Sequence, residues 1–304
     1  MAGRVVSLIS AIGFLVLIPL HQAQTEPVRL VHDGRGLNGE VKLAAGKSMT
    51  DGIMVLVHGA MAHHRMAIMQ ALQTLLAERS ISSLAVTLSL GVANRKGTYD
   101  CIKPHRHNNA QVIAEIGAWV DWAAKNGAAK IGLLGHSRGA TQIAHYAVQA
   151  GDSLPSAVKK IVLAAPSTFD PASAISDYRR RFDGDLAAIL KRAEAMVAAD
   201  RGGDLIPGIG FLNCKRTDAA AATVLDYYAA DGRNDAPSLL AQIQRPVLVV
   251  VAGGDRIVTD LSARLASAPK PAQYAVGTID GADHMFNGSY SVALADAAAS
   301  FWAE

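Results

Sequence analysis

The chain has 304 residues, enough for one large α/β domain or two small ones. Half of them are hydrophobic and 18% are charged, a balance that supplies a substantial core and excludes a disordered chain. Lys and Arg number 29 against 26 Asp and Glu, a net charge of +3 with no basic block, so nothing invites a nucleic-acid partner.

Arg4 precedes an apolar run, Val5 to Leu20, followed by His21-Gln22-Ala23-Gln24. A positive start and a run of this length are expected of a secretory signal peptide, and residues 1–24 are set apart from the fold on that ground. The run falls slightly short of the ~20 residues of a spanning helix, whereas the cleavage site is poor, because Ala23 at the cleavage position puts His21 where a small residue is expected. Export to the periplasm or medium is the expectation, with an uncleaved anchor over residues 5–20 as the alternative. A membrane partner is expected only through that segment.

Residues 25–304 are expected to form a single domain. Val28 to His32 and Val41 to Ala45 alternate as short strands, flanked by Gly34, Gly36, Gly39 and Gly46. Ile53 to Val57 is a continuous apolar run, as in a strand buried on both faces. From His64 to Arg79, apolar residues recur at Met66, Met69, Leu72, Leu75 and Leu76 with helical spacing. Leu84 to Leu90 predicts the next strand, and a polar loop from Gly91 to Asn109 follows. Val112 to Ala124 predicts an amphipathic helix closed by Asn126-Gly127. Ile131 to Leu134 predicts a strand running into Gly135-His136-Ser137-Arg138-Gly139, with a helix over Ala140 to Gln149. Lys159 to Pro166 is one more buried strand. Strands alternating with helices at this spacing call for a mostly parallel sheet flanked by helices.

Between Ser167 and Gln244 the alternation stops. Helical segments at Leu186 to Ala199 and Ala219 to Ala229 surround a Gly/Pro-rich piece, Gly202 to Gly210. Such a length without a strand is too long for a loop in a compact domain, so a helical lid insertion over about 167–244 is expected. The alternation resumes with a strand over Pro246 to Ala252, a helix near Asp260 to Ala266, a strand near Gln273 to Ile279 and a final helix, Tyr290 to Trp302.

Only one intramolecular pairing exists for Cys101 and Cys214, and export would expose both to an oxidising compartment. A Cys101–Cys214 disulfide is therefore expected. Two free thiols are one rival reading. A zinc site with His105 and His107 is the other, at a spacing unlike the usual zinc motifs.

The turn at Gly135 to Gly139 carries the chemistry. A strand turning sharply into a helix strains the apical residue, and glycines on both sides remove side chains that would collide with the neighbouring strand and helix. Ser137 would then stand clear at the carboxyl end of a central strand, where open α/β sheets bind ligands. A hydroxyl is a weak nucleophile that needs a base, and the base needs an orienting group. Both appear downstream at strand ends: Asp255 in Gly253-Gly254-Asp255 and His284 in Gly281-Ala282-Asp283-His284. The competing reading of the turn alone is an ordinary Gly-rich bend.

With these motifs, and with Val57-His58-Gly59-Ala60 after the first buried strand, the sequence resembles the α/β-hydrolases of the serine esterase, lipase and aminopeptidase-like group. The resemblance covers roughly Gly52 to Trp302 without the insertion. It implies an α/β-hydrolase fold with Ser137 as nucleophile, His284 as general base and Asp255 as orienting acid. It also implies an oxyanion hole from the backbone N–H groups of Arg138 and of Ala60, with Met61 as the alternative to Ala60. The implied activity is a serine hydrolase that cleaves an ester, or less favoured an amide, of a small-molecule substrate through an acyl-enzyme, with no cofactor and no metal. An acyltransferase on the same triad and a non-catalytic binding protein of the same fold are the alternatives. Asp170, Asp280 and Asp283 are rivals to Asp255. His136 is assigned to packing. The Arg138 side chain is read as a partly exposed structural arginine, with a salt bridge or a place facing the substrate as the alternatives, and His58, His63 and His64 lack the paired carboxylates of a metal site.

Overall fold

The computed structural model describes residues 24–269, 271 and 273–304; the expected signal peptide or anchor lies outside the described residues but for Gln24. In chain order the elements are β1 (Gln24–His32), β2 (Arg35–Leu43), β3 (Ile53–Val57), α1 (Ala67–Glu78), β4 (Ser82–Thr87), α2 (Asn109–Lys125), β5 (Ile131–His136), α3 (Arg138–Ala150) and β6 (Val158–Ala164). The segment after β6 holds α4 (Pro171–Phe182), α5 (Leu186–Ala198), β7 (Leu205–Phe211), β8 (Cys214–Ala220), α6 (Ala221–Tyr227) and the single turn α7 (Ala236–Leu239). The chain then closes with β9 (Val247–Ala252), α8 (Leu261–Ser267), β10 (Tyr274–Ile279) and α9 (Ser289–Ala303).

Eight strands form one sheet in the order β1-β2-β4-β3-β5-β6-β9-β10. The first three are joined antiparallel and the rest run parallel. The continuous apolar runs explain the centre. Ile53, Val55 and Val57 of β3, Leu133 of β5 and Val247, Val249 and Val251 of β9 face a layer containing α2 and α3. Met54, Leu56, Leu134, Leu248 and Val250 face the opposite layer of α1 and α9. Because side chains alternate along a strand, both faces must be apolar when both are covered.

Two expectations are corrected. Two of the four glycines expected to flank short edge strands, Gly36 and Gly39, lie inside β2, which runs on to Leu43. Gly39 pairs with Val28 on one side and Val86 on the other, and the ring of Trp119 closes over the space a side chain would take. The segment after β6 is not wholly helical either. It contains the β7–β8 hairpin, and Ala219, expected as the start of a helix, ends up in a strand. Pro207, Gly208 and Gly210 interrupt the alternation that would have marked β7, and the ladder itself is irregular there. The segment has its own small core around Met196, Ile206, Phe211, Val224 and Tyr227.

Cys101 and Cys214 are joined by a disulfide that ties the loop after β4 to the first residue of β8. The same loop runs beside β8: His105 N–H donates to Asp218 O (2.8 Å) and Ala220 N–H donates to His105 O (2.8 Å). With their thiols oxidised, the cysteines are not available to the zinc site weighed from sequence. The cross-link spans 113 residues, a closure worth about 4.7 kcal/mol in the chain-entropy picture. A Cys101→Ser, Cys214→Ser double variant is expected to lose stability on that order in urea unfolding; a variant as stable as the parent would show the link to be idle.

Among the described residues, no helix is long and apolar enough to cross a membrane. Nor does any group of three or more His, Cys, Asp or Glu side chains converge on a metal-sized space.

Candidate active site

Ser137 stands between β5 and α3 with φ 55° and ψ −127°, the strained conformation the turn imposes. The two glycines make that turn physically possible. A β-carbon on Gly135 would lie 2.4 Å from Ala140 Cα, and one on Gly139 would lie 2.3 Å from the carbonyl oxygen of His58. Helix α3 therefore packs backbone to backbone against the end of β3.

Asp255 follows β9 and His284 follows β10, neighbouring parallel strands that end on the same edge of the sheet as β5. Asp255 Oδ2 accepts a hydrogen bond from His284 Nδ1–H (2.7 Å), because a carboxylate can only accept. That fixes the tautomer, so His284 Nε2 is the acceptor for Ser137 Oγ–H (2.8 Å). The other carboxylate oxygen accepts from the amides of Ile257 (2.7 Å) and Val258 (3.0 Å). Burial works to raise the Asp255 pKa, but the His284 contact and these two amides outweigh it and hold the carboxyl below its usual range. None of the rival carboxylates bonds His284. Asp170 caps α4 through Ala172 N–H (3.1 Å), and Asp283 is taken up by Met285 N–H (3.1 Å) and Asn287 N–H (3.0 Å).

Two buried histidines frame this row without joining it. His136 Nε2–H donates to the carbonyl of His284 (2.7 Å), so it steadies the backbone of the residue that faces Ser137. Burial pulls its pKa down to about 4, and it stays neutral near pH 7. His58 Nδ1–H donates to Gly59 O (2.7 Å), while its Nε2 accepts from Leu88 N–H (3.1 Å) and Arg95 Nη2 (3.2 Å). Burial, reinforced by the Arg95 charge, drives the His58 pKa well below its ordinary value. Arg95 also donates to the carbonyls of Leu88 (2.9 Å) and Gly97 (2.6 Å). Nothing in the sequence marked Arg95, because its partners are backbone atoms brought together by the fold.

Gly59 lies directly against Ser137: a β-carbon there would stand 3.2 Å from Ser137 Cβ. The next residue, Ala60, borders the cleft, as does Arg138 at the first turn of α3. Met61 turns away into the core, where its carbonyl accepts from Tyr99 N–H (2.8 Å), and it does not border the cleft.

The cleft above Ser137 and His284 has a volume of about 1040 Å³. One wall comes from the segment after β6, through Phe169, Tyr178, Phe182, Phe211, Tyr227 and Tyr228, whose rings pack edge to face or tilted on one another. Sequence periodicity could not single these six out, because they come from separate pieces of the segment. His105 and His107 lie behind this wall, fully buried against Tyr99, Phe211 and Tyr227, and burial lowers their pKa values to about 4 and about 3.

A family model described as "Alpha/beta hydrolase family" matches residues 54–297. No curated protein matches the chain. Solved structures do. Est1E from Butyrivibrio proteoclasticus is 17% identical, with a TM-score of 0.61 over 90% of this chain and 96% of its own. The alpha/beta hydrolase GrgF from Penicillium sp. sh18 is 14% identical, with a TM-score of 0.65 over 92% and 100%. The monoacylglycerol lipase of Paleococcus ferrophilus is 16% identical, with a TM-score of 0.60 over 88% and 98%. At these identities the likeness is one of fold.

Proposed function

The chain belongs to the alpha/beta hydrolase family, and on that premise we propose that it is a serine hydrolase that cleaves an ester bond through an acyl-enzyme on Ser137. The observation that carries this reading is the unbroken row of hydrogen bonds from Asp255 through His284 to Ser137 Oγ.

In this mechanism Ser137 Oγ attacks the ester carbonyl while its proton passes to His284 Nε2. Asp255 keeps the imidazole in the required tautomer and stabilises the imidazolium that forms. The backbone N–H groups of Ala60 and Arg138 receive the oxyanion, whose charge they stabilise because they are fixed before the reaction begins. His284 then returns the proton to the leaving alcohol, the C–O bond breaks, and the acyl group remains on Ser137. Water, deprotonated by His284, attacks the acyl carbonyl; the acid leaves and Ser137 regains its proton. An ester is preferred over an amide because the neighbours of this fold include an esterase and a lipase. The segment over the cleft is the part that selects substrate. Export to an oxidising compartment fits the disulfide.

A fluorophosphonate probe tests the reading directly, since it reports an activated serine and needs no knowledge of the substrate. One label per chain is expected, on the peptide that carries Ser137, together with hydrolysis of short-chain 4-nitrophenyl esters. An unlabelled protein would sink the proposal.

A further inference from the structure

Arg138 follows Ser137, and the proposed mechanism uses only its backbone amide. Its side chain is partly buried and borders the same cleft as Ser137 and His284. Among the described residues no carboxylate pairs with it. Asp226, the acid whose charge acts on it, is engaged by Arg233 (3.0 Å) and by Asn109 N–H (2.6 Å). The other cleft-lining cations are accounted for differently. Arg180 pairs with Asp177 (2.9 Å), Arg181 donates to Leu212 O (2.6 Å), and Arg256 is exposed at the mouth. The cleft-lining acids are occupied too: Asp170 caps a helix, and Asp260 accepts from Thr168 (2.6 Å).

The position is unfavourable for a cation in three ways. It sits at the first turn of α3, where the helix dipole repels positive charge. It is partly buried without a paired counter-ion, which is costly for a charged group. And it cannot relieve that cost by losing its proton, as a lysine could. Beyond the charge of Asp226, the compensation the fold provides is the face of Tyr227, with the guanidinium carbon 5.0 Å from the ring centre. A charge held at such cost beside a nucleophile is explained if the missing counter-ion arrives with the substrate.

We infer that Arg138 is a specificity-determining residue whose guanidinium pairs with a carboxylate carried by the substrate. The substrate class is then an ester bearing a free carboxylate, its apolar part lying along the aromatic wall. This deepens the hydrolase proposal and rests on it. A single carboxylate fits better than a phosphate dianion, because only one unpaired cation lies at this depth and Tyr227 covers one of its faces.

The test uses Ser137→Ala protein, which removes turnover, titrated calorimetrically with monoethyl glutarate, a monoanion, and with neutral diethyl glutarate. The monoanion is expected to bind about 10- to 100-fold more tightly at low ionic strength, the range of one charge-assisted bidentate pair. The Arg138→Met, Ser137→Ala double variant should lose that preference. Equal affinities, no detectable binding of the monoanion, or a preference that survives Arg138→Met would overturn the inference. If the double variant does not fold, the salt dependence of the Ser137→Ala protein decides. A preference that collapses between about 20 and 500 mM salt supports the pair, and one indifferent to salt overturns it. Because nothing turns over, failure here is separable from failure of the hydrolase reading, which would show as absent fluorophosphonate labelling of the wild type.

Discussion

Ser137→Ala is expected to lower kcat for an activated ester by about 10⁶-fold, and Asp255→Asn by about 10⁴-fold, with the two losses far from additive when combined. The inequality follows from the geometry. In the proposed mechanism, removing Oγ removes the atom that bonds to the acyl group. Replacing Asp255 by Asn leaves a hydrogen bond to His284 Nδ1 but offers an N–H where a carboxylate accepted. The imidazole is then driven to the tautomer with its proton on Nε2, pointing at Ser137. Steady-state kinetics with 4-nitrophenyl butyrate distinguishes this from simple misfolding if both variants keep the wild-type circular dichroism spectrum. Full activity of Asp255→Asn would refute the assigned role. The same substitution has a pH signature. Because the folded-state pKa of Asp255 is depressed, its ionised form stabilises the fold above the unfolded-chain pKa of ~3.9. That contribution fades as the pH falls through the lower, folded-state value. Asp255→Asn should therefore flatten the acid limb of the stability curve and leave the slope near neutral pH unchanged.

The second large effect is steric. Gly139→Ala adds one methyl group, and alanine is the better helix former, yet that methyl would sit 2.3 Å from His58 O and 2.6 Å from Val57 O. Neither atom is the end of a flexible side chain, so α3 must move away from β3. Overpacking of this kind costs about 1–3 kcal/mol, or a Tm loss of roughly 2–5 °C in a domain of this size. Activity should suffer more than stability. The displaced pieces carry Ser137 on one side and Gly59-Ala60 on the other, so kcat/KM should fall about 10²-fold. Gly277→Ala in the edge strand β10, where an added methyl meets nothing within 4 Å, is the control and should be close to neutral in both readouts. Equal behaviour of the two variants would remove the packing explanation of the turn.

The legible parts of the molecule were those whose signal is local. The runs at Ile53, Ile131 and Val247 announce strands covered on both faces. Gly135, Ser137 and Gly139 announce a turn because the constraint acts within five residues of chain. Asp255 and His284 were found because each immediately follows a strand, and parallel topology brings strand ends to one edge. What stayed hidden depends on partners distant in sequence. The β7–β8 hairpin has Pro207 and Gly208 where a strand pattern should be regular, and it is held by pairing with its own return strand and by the segment from Cys101 to His105. Arg95 and His136 act on carbonyl oxygens, which leave no mark on the sequence at either end. The sequence leaves the Arg138 side chain open between a structural role, a salt bridge and a place facing the substrate, because its isolation is visible only once every nearby acid is seen to be engaged elsewhere.

The disulfide has a further consequence in evolutionary time. Cys214 follows directly on Phe211, Leu212 and Asn213, which border the cleft, so the cross-link anchors the edge of the segment that faces the cleft rather than its base. A roof pinned at its working edge does not depend on its own side chains to stay in place. Mutation can then exchange the rings of α4, α6 and the hairpin turn, and with them, on the proposed function, the esters accommodated, while Ser137, Asp255 and His284 keep the same surroundings. Descendants of this chain are expected to diverge fastest in what they accept and slowest in how they react.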